Sequence, residues 1–157
     1  MSQVSHTTQN RSSAEVDVRG PRFVAWVTTA VLVATVLVST VSSVYAAALL
    51  TAQAVVFAVG ATLGPRRHPY GVLFSTLVAP RLGPATEREP VAPLKFAQAV
   101  GLVFAVVGVA AFVAGVPTLG LVATGFALAA AFLNAAFGIC LGCQLYPLFL
   151  RLKPTHS

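Results

Sequence analysis

The chain has 157 residues, of which 57% are hydrophobic and 9% charged, and a formal net charge of +6; its mean hydropathy is +0.84. A soluble domain carries about 25% charged residues, so this composition lacks the polar surface needed to cover a globule in water. A soluble enzyme, a disordered binder and a disulfide-stapled secreted domain are excluded. The Lys and Arg residues are scattered singly and form no basic face, so no nucleic acid is expected and the lipid bilayer is the implied partner.

Residues 1–21 are polar and rich in Ser, Thr and Gln, and are expected to form a disordered tail. After them come two runs without Asp, Glu, Lys, Arg or His, from Phe23 to Gly64 and from Phe96 to Leu150. A helix needs about 20 apolar residues to cross a hydrocarbon core of about 30 Å, so each run accommodates two spans. In the first run the polar cluster Ser39, Thr40, Ser42 and Ser43, followed by Tyr45, marks the reversal. The predicted spans there are about residues 22–43 and 46–63. In the second run Gly115-Val116-Pro117-Thr118 is the turn, because Pro117 lacks a donor and disfavours helical geometry at Val116. This gives spans of about 95–114 and 118–139. The expected fold is an all-α membrane protein: one four-helix transmembrane domain over residues 22–152 and a short tail at 153–157. Cleavage after Ala46-Ala47-Ala48, as in a secretory signal, is disfavoured because the apolar run before it far exceeds the 7 to 15 residues of a signal core.

The loop of residues 65–94 contains Pro65, Pro69, Pro80, Pro84, Pro90 and Pro93. Between Pro69 and Pro80 lies an apolar stretch, Tyr70 to Ala79, too short to span and predicted to be re-entrant or interfacial. A passive surface anchor is the plainer reading of the same stretch. All ten Lys and Arg residues fall before Phe23, between Gly64 and Phe96 or after Leu150, and neither short hairpin has one. The positive-inside rule therefore places both termini and the loop in the cytoplasm. Trp26, Tyr45, Phe96 and Tyr146 sit near span ends, as an aromatic belt requires.

Lipid supplies no hydrophobic drive for helix pairing, so association rests on small residues and on polar groups that bond across contacts. Gly101, Ala105, Gly108 and Gly115 form such a stripe in the third span, Ala127, Ala131 and Ala135 in the fourth, and the two are expected to face one another. Asn134 and Gln53 read as packing glue. The spans carry no ionisable side chain in their interiors, which argues against a proton-driven pump.

The only cysteines are Cys140 and Cys143, in Gly138-Ile139-Cys140-Leu141-Gly142-Cys143. Thiols three positions apart meet across one helical turn, the spacing used both by dithiol–disulfide chemistry and by half of a tetrahedral metal site. In a reducing compartment the pair should rest as a dithiol. Haem attachment needs His after the second cysteine, and Gln144 is there instead. A zinc site needs four ligands, and the pair plus His68 falls short unless two chains combine. At the end of the last span the helix dipole would raise the thiol pKa. A helix break at Gly138 or Gly142, or charge from Arg66, Arg67 or Arg81, would change that. The spacing alone leaves chemistry and simple apolar packing both open.

The segment Pro93-Leu94-Lys95-Phe96-Ala97-Gln98 with Gly101, and Gly138 to Cys143 followed by Tyr146, resemble the bacterial integral membrane family called domain of unknown function 4395. The resemblance runs from about Phe23 to Leu150. It implies a small four-helix protein in a sulfur context, with thioredoxin-like or rhodanese-like partners, and makes Gln98, Cys140 and Cys143 the positions to watch. Gln98 lies at about the depth of the cysteines, so the motifs are expected to meet.

The leading expectation is a multi-pass protein of the bacterial inner (plasma) membrane whose cytoplasm-facing thiols exchange disulfides or relay sulfane sulfur with a thioredoxin-like or sulfurtransferase partner. In it Cys140 is nearer the membrane, Cys143 attacks, Gln98 donates a hydrogen bond, and no organic cofactor or metal is needed. The alternatives are a non-catalytic subunit or scaffold whose small-residue faces dock other helices, and a small sulfur-compound transporter, which would need a homo-oligomer.

Overall fold

Four long helices form from the two uncharged runs, and their ends are set by caps. In the computed structural model, which describes residues 15–152, α1 is Arg19–Ser39 and α2 is Ser43–Leu63. Ser42 is the N-cap of α2, its hydroxyl accepting from the Tyr45 N–H at 3.4 Å. The polar cluster is thus the reversal, with Ser39 and Thr40 hydroxyls donating to the carbonyls of Val36 and Leu37. The central loop contains α3 (Pro69–Leu73), a π-helical turn over Phe74–Val78, and α4 (Ala79–Leu82). Then come α5 (Val91–Val113) and α6 (Pro117–Phe137), with Pro117 in the first turn of α6, where its missing N–H costs nothing. A last helix, α7, runs over Leu141–Leu152.

The long helices have 21, 21, 23 and 21 residues. At about 1.5 Å per residue each reaches roughly 30 Å, and all four are apolar enough to cross a membrane. The outward faces carry large exposed apolar residues, among them Leu37, Val55, Val103 and Phe126. On a soluble protein such a surface would drive aggregation; in a bilayer it meets lipid.

The helices pack in a ring in which α2 and α6 each lie between α1 and α5. The core joins Leu32, Leu50, Phe57, Ala105, Phe112 and Ala127. The expected face-to-face pairing of the α5 and α6 stripes is corrected here. A Cβ on Gly101 would meet the Phe57 ring of α2 at 2.8 Å, and one on Gly108 would meet Leu50 Cδ2 of α2 at 2.6 Å, with Thr124 and Ala123 of α6 at 3.5 and 3.7 Å. The glycines of α5 therefore chiefly receive large side chains of α2, because a bare backbone groove is filled best by the bulkiest neighbour. Gly115 has φ 80° and makes the turn before α6.

Residues 1–14 and 153–157 lie outside the described residues, so the expected tail is seen only from residue 15. From there it is ordered, contrary to the expectation for 1–21. Strand β1 (Glu15–Asp17) pairs antiparallel with β2 (Arg88–Pro90), and α1 begins at Arg19. Asp17 explains the order. Its carboxylate accepts from the Arg19 backbone N–H at 3.0 Å and from the Arg19 guanidinium at 2.8 Å, and that guanidinium also donates to the carbonyls of Leu82 and Gly83 at the end of α4. The Arg19 guanidinium holds the Asp17 carboxyl below its ordinary pKa, against the opposing effect of burial. The apolar stretch of the loop is helical and packs on α1, with Phe74 buried against Phe23 at 5.7 Å between ring centroids.

Gly101→Val is expected to lower stability by about 1–3 kcal/mol through overpacking against Phe57. Gly125→Val, where a Cβ meets nothing within 4 Å, should leave it nearly unchanged; thermal unfolding in detergent compares the two.

Candidate functional site

The cysteine motif is placed by the end of α6. Gly138 has φ 70°, a left-handed value that glycine adopts without strain, and it terminates the helix. Its N–H donates to the Asn134 carbonyl and the Ile139 N–H to the Leu133 carbonyl, the paired bonds of a glycine stop. Two further carbonyls of that last turn, Ala135 and Ala136, accept from the Arg22 guanidinium at 3.2 and 3.5 Å. A cation at a helix C-terminus also meets the negative end of the dipole. Arg66, one of the three arginines considered as a source of charge for the thiols, reaches the Glu15 carbonyl through its guanidinium.

The chain restarts as a helix at Leu141. Cys140 therefore stands at the start of α7: its carbonyl accepts from the Gln144 N–H at 3.1 Å, and its Sγ accepts from the Cys143 N–H at 3.1 Å. This corrects the expectation that the pair closes a helix. The break falls at Gly138, one of the two glycines considered, and puts the first cysteine at a positive dipole end, where a thiolate is favoured. The two sulfurs are joined as a disulfide with Cα atoms 5.2 Å apart, the oxidised form of the couple.

Gly142 has a different task from breaking the helix. A Cβ there would lie 2.6 Å from Ala97 Cα and 2.7 Å from its Cβ. Backbone cannot move aside as a flexible side chain does, so α7 sits directly on the first turns of α5, next to Gln98. Phe96 adds ring contacts with Tyr146 and Phe149 at 5.8 and 5.1 Å between centroids.

Gln98 is held from the central loop. His68 is the N-cap of α3, followed by Pro69, and its Nδ1 accepts from the Tyr70 backbone N–H at 3.2 Å. A backbone N–H can only donate, so Nδ1 carries no proton and the proton of the neutral ring is on Nε2. Nε2 lies 3.2 Å from Gln98 Oε1 and donates to it. That fixes the amide orientation and leaves the Gln98 N–H2 as a donor without a partner among the described residues. His68 is 1% exposed. Burial pushes its pKa below the ordinary 6.5, more strongly than the Gln98 bond raises it. A Cβ on Gly60 would fall 2.7 Å from the His68 ring and 2.8 Å from Gln98 Oε1, so a glycine in α2 is what admits this pair.

Gln53, in α2, ties the same loop: its Oε1 accepts from the Tyr70 hydroxyl at 2.9 Å. It thus bonds across a contact, as packing glue does. Other buried threonines, Thr29, Thr35 and Thr124, donate to the carbonyl four residues back. The Thr28 hydroxyl is buried with no partner among the described residues.

A cavity of about 280 Å³ brings these groups together. Its walls come chiefly from α1, α5, α6 and the start of α7, with Phe57 of α2 and His68 of the loop, and include Cys140, Gln98, Thr28 and Asn134 among mostly apolar residues. Gln98 and the cysteine motif thus share one space. Sequence reasoning placed His68 only as a stray metal ligand and missed Thr28. The signal for His68 was present: it is the sole His between residues 7 and 155, and it precedes a proline that opens a helix. Among the described residues no three His, Cys, Asp or Glu side chains gather as metal ligands.

The lowered pKa of His68 fixes a pH dependence. The unfolded chain binds a proton below about pH 6.5 that the folded chain resists, so His68 favours the fold above that pH and its contribution is lost as pH falls through the folded pKa. Melting temperatures measured in detergent between pH 7.5 and 5 should fall toward acid for the native chain, and this slope should shrink in His68→Asn.

The model of one protein family matches residues 16–151, most of the chain. No curated protein and no solved structure matches it. Four apolar helices and the glycine-flanked cysteine pair sit within the matched range, and the chain belongs to the family described as domain of unknown function (DUF4395).

Proposed function

We propose that this multi-pass membrane protein is a thiol–disulfide exchange or sulfur-relay protein of the bacterial inner membrane, working with a soluble thioredoxin-like or rhodanese-like partner at the cytoplasmic face. The observation that carries the reading is the Cys143 N–H directed at Cys140 Sγ at the first turn of α7. In the reduced protein the same N–H faces a Cys140 thiolate, and a hydrogen bond to the charged form and the helix dipole both lower its pKa.

The ordering of the helix ends supports a single charged face. Arg22 on the end of α6 and Gly60 beside Gln98 bring the start of α1, the end of α2, the start of α5 and the end of α6 to one end of the bundle. The loop and tail Lys and Arg residues attach there, and the positive-inside rule makes that end cytoplasmic. The segment Pro69–Leu82 and α7, apolar helices too short to span, lie at the interface on this side.

Attack is assigned to Cys140, in place of Cys143, since Cys140 receives the N–H and the dipole. In the dithiol state the Cys140 thiolate attacks a sulfur of the partner's disulfide, forming a mixed disulfide and expelling the partner's other sulfur as a thiolate. Cys143, as thiolate, then attacks Cys140 Sγ, re-forming the Cys140–Cys143 bond and releasing the partner as a dithiol. The chain is oxidised by two electrons and the partner reduced by two. Gln98 supports the site through its amide N–H2. The scaffold reading has less support, because Gly101 and Gly108 are already filled by Phe57 and Leu50 of the same chain.

In the reduced protein Cys140 should alkylate well below pH 8.5, the ordinary thiol pKa, and Cys143 should not. Cys143→Ser should accumulate a mixed disulfide with a thioredoxin-like protein in native membranes, and Cys140→Ser should not. Equal alkylation profiles, together with no mixed disulfide from either variant, would overturn the reading.

A further inference from the structure

The cavity beside Cys140 has features that disulfide exchange with a soluble partner does not use. Its wall is mostly apolar, with Phe104 and Phe126 stacked at 5.8 Å between centroids. It holds two polar groups without protein partners among the described residues, the Gln98 amide N–H2 and the Asn134 side chain; Thr28 also lines it, with its hydroxyl buried behind the wall. Unpaired polar groups in an apolar interior are costly, and a ligand that accepts their hydrogen bonds removes the cost. Phe126 and Leu145, also in the wall, are 60% and 48% exposed. The cavity therefore opens on the outer surface of the bundle, where lipid lies. At about 280 Å³ it is at the lower edge of the range for small-molecule sites, roughly 300–1,000 Å³.

We propose that this cavity is a quinone site, in which the ring of a lipid-soluble quinone lies against Cys140 and its carbonyls accept hydrogen bonds from the polar wall while its tail leaves between the helices into lipid. This deepens the thiol-exchange reading and rests on it. With that exchange run in reverse, a partner dithiol reduces the Cys140–Cys143 disulfide, and the two thiols then give up two electrons and two protons. The S–S bond forms, and the quinone takes up both electrons and both protons, its two carbonyl oxygens becoming hydroxyls. Atoms and charges balance with no other reactant. The chemistry selects a quinone over a lipid acyl chain because an acyl chain leaves Gln98 and Asn134 unpaired and accepts no electrons. It selects a quinone over a soluble carrier because the opening faces the membrane.

The test uses the full chain in lipid nanodiscs, reduced, freed of reductant and kept anaerobic, with decylubiquinone as the probe, since its fully substituted ring resists direct addition of thiols. One hydroquinone should form for each disulfide regained, and decylubiquinone should raise the melting temperature of a Cys140→Ser/Cys143→Ser double variant, as a ligand of the folded state does. Ala131→Phe, which fills the cavity, should slow quinone reduction by about tenfold or more, because a displaced ring no longer meets the sulfur. The same reduced native protein is also offered an oxidised thioredoxin. Exchange with thioredoxin but no reaction with decylubiquinone would overturn the quinone site and leave the thiol-exchange reading standing. Inertness toward both would overturn both. An equal thermal shift from decylbenzene, or an equal rate in a folded Ala131→Phe, would show the cavity to be a hydrocarbon site only and overturn the proposal.

Discussion

A helix leaves its last four carbonyls without partners of its own, and the charged end of this bundle is arranged around meeting that need. In the last turn of α6, Gly138, Ile139 and Arg22 satisfy four carbonyls between them. The C-terminus of α4 is bound in the same manner by Arg19, itself fixed by Asp17. Two of the arginines that the positive-inside rule counts, Arg19 and Arg22, thereby also close helix ends.

The glycine stop at Gly138 has the largest consequence for chemistry. Had α6 continued, Cys140 and Cys143 would lie in a helical C-terminus, where the dipole opposes a thiolate. The left-handed residue resets the chain within three positions, and the same two cysteines open a helix. Gly142 then keeps that helix in backbone contact with Ala97. Two glycines thus decide the electrostatics and the location of the thiol pair, one through its φ angle and the other through its missing side chain.

A second chain of dependence runs from the loop inward. The Tyr70 N–H sets the His68 tautomer, the tautomer sets the Gln98 amide, and the amide presents its donor to the cavity. His68 is kept neutral by burial, so this relay of orientation holds at physiological pH. Gly60 leaves the space in which His68 and Gln98 meet. The unpaired Thr28 hydroxyl stands out against the other buried threonines, each of which bonds back along its own helix, and it lies in the same cavity wall.

How much of this was legible can be judged residue by residue. Composition and the two uncharged runs determine four spans, because length and hydropathy are properties of the chain and the bilayer thickness is fixed; the observed helices begin and end within four residues of the expected ones. The polar reversal at Ser42 and the turn before Pro117 were legible for the same reason, since capping and proline geometry are local. Gln98, Cys140 and Cys143 were singled out by motif; Gln98 and Cys140 line one cavity, and Cys143 is joined to Cys140. Which helix fills the glycines of α5, where α7 begins, and that His68 orients Gln98 were decided only by tertiary structure. These depend on contacts between residues tens of positions apart, and a glycine in a sequence does not say which neighbour enters the space it leaves. The order of residues 15–21 belongs to the same class: a polar segment reads as disordered until a distant strand and an Arg19–Asp17 pair give it partners. The sequence alone determines four helices long and apolar enough to cross a membrane and where the charge lies along the chain, while the fold decides what the charge and the thiols touch.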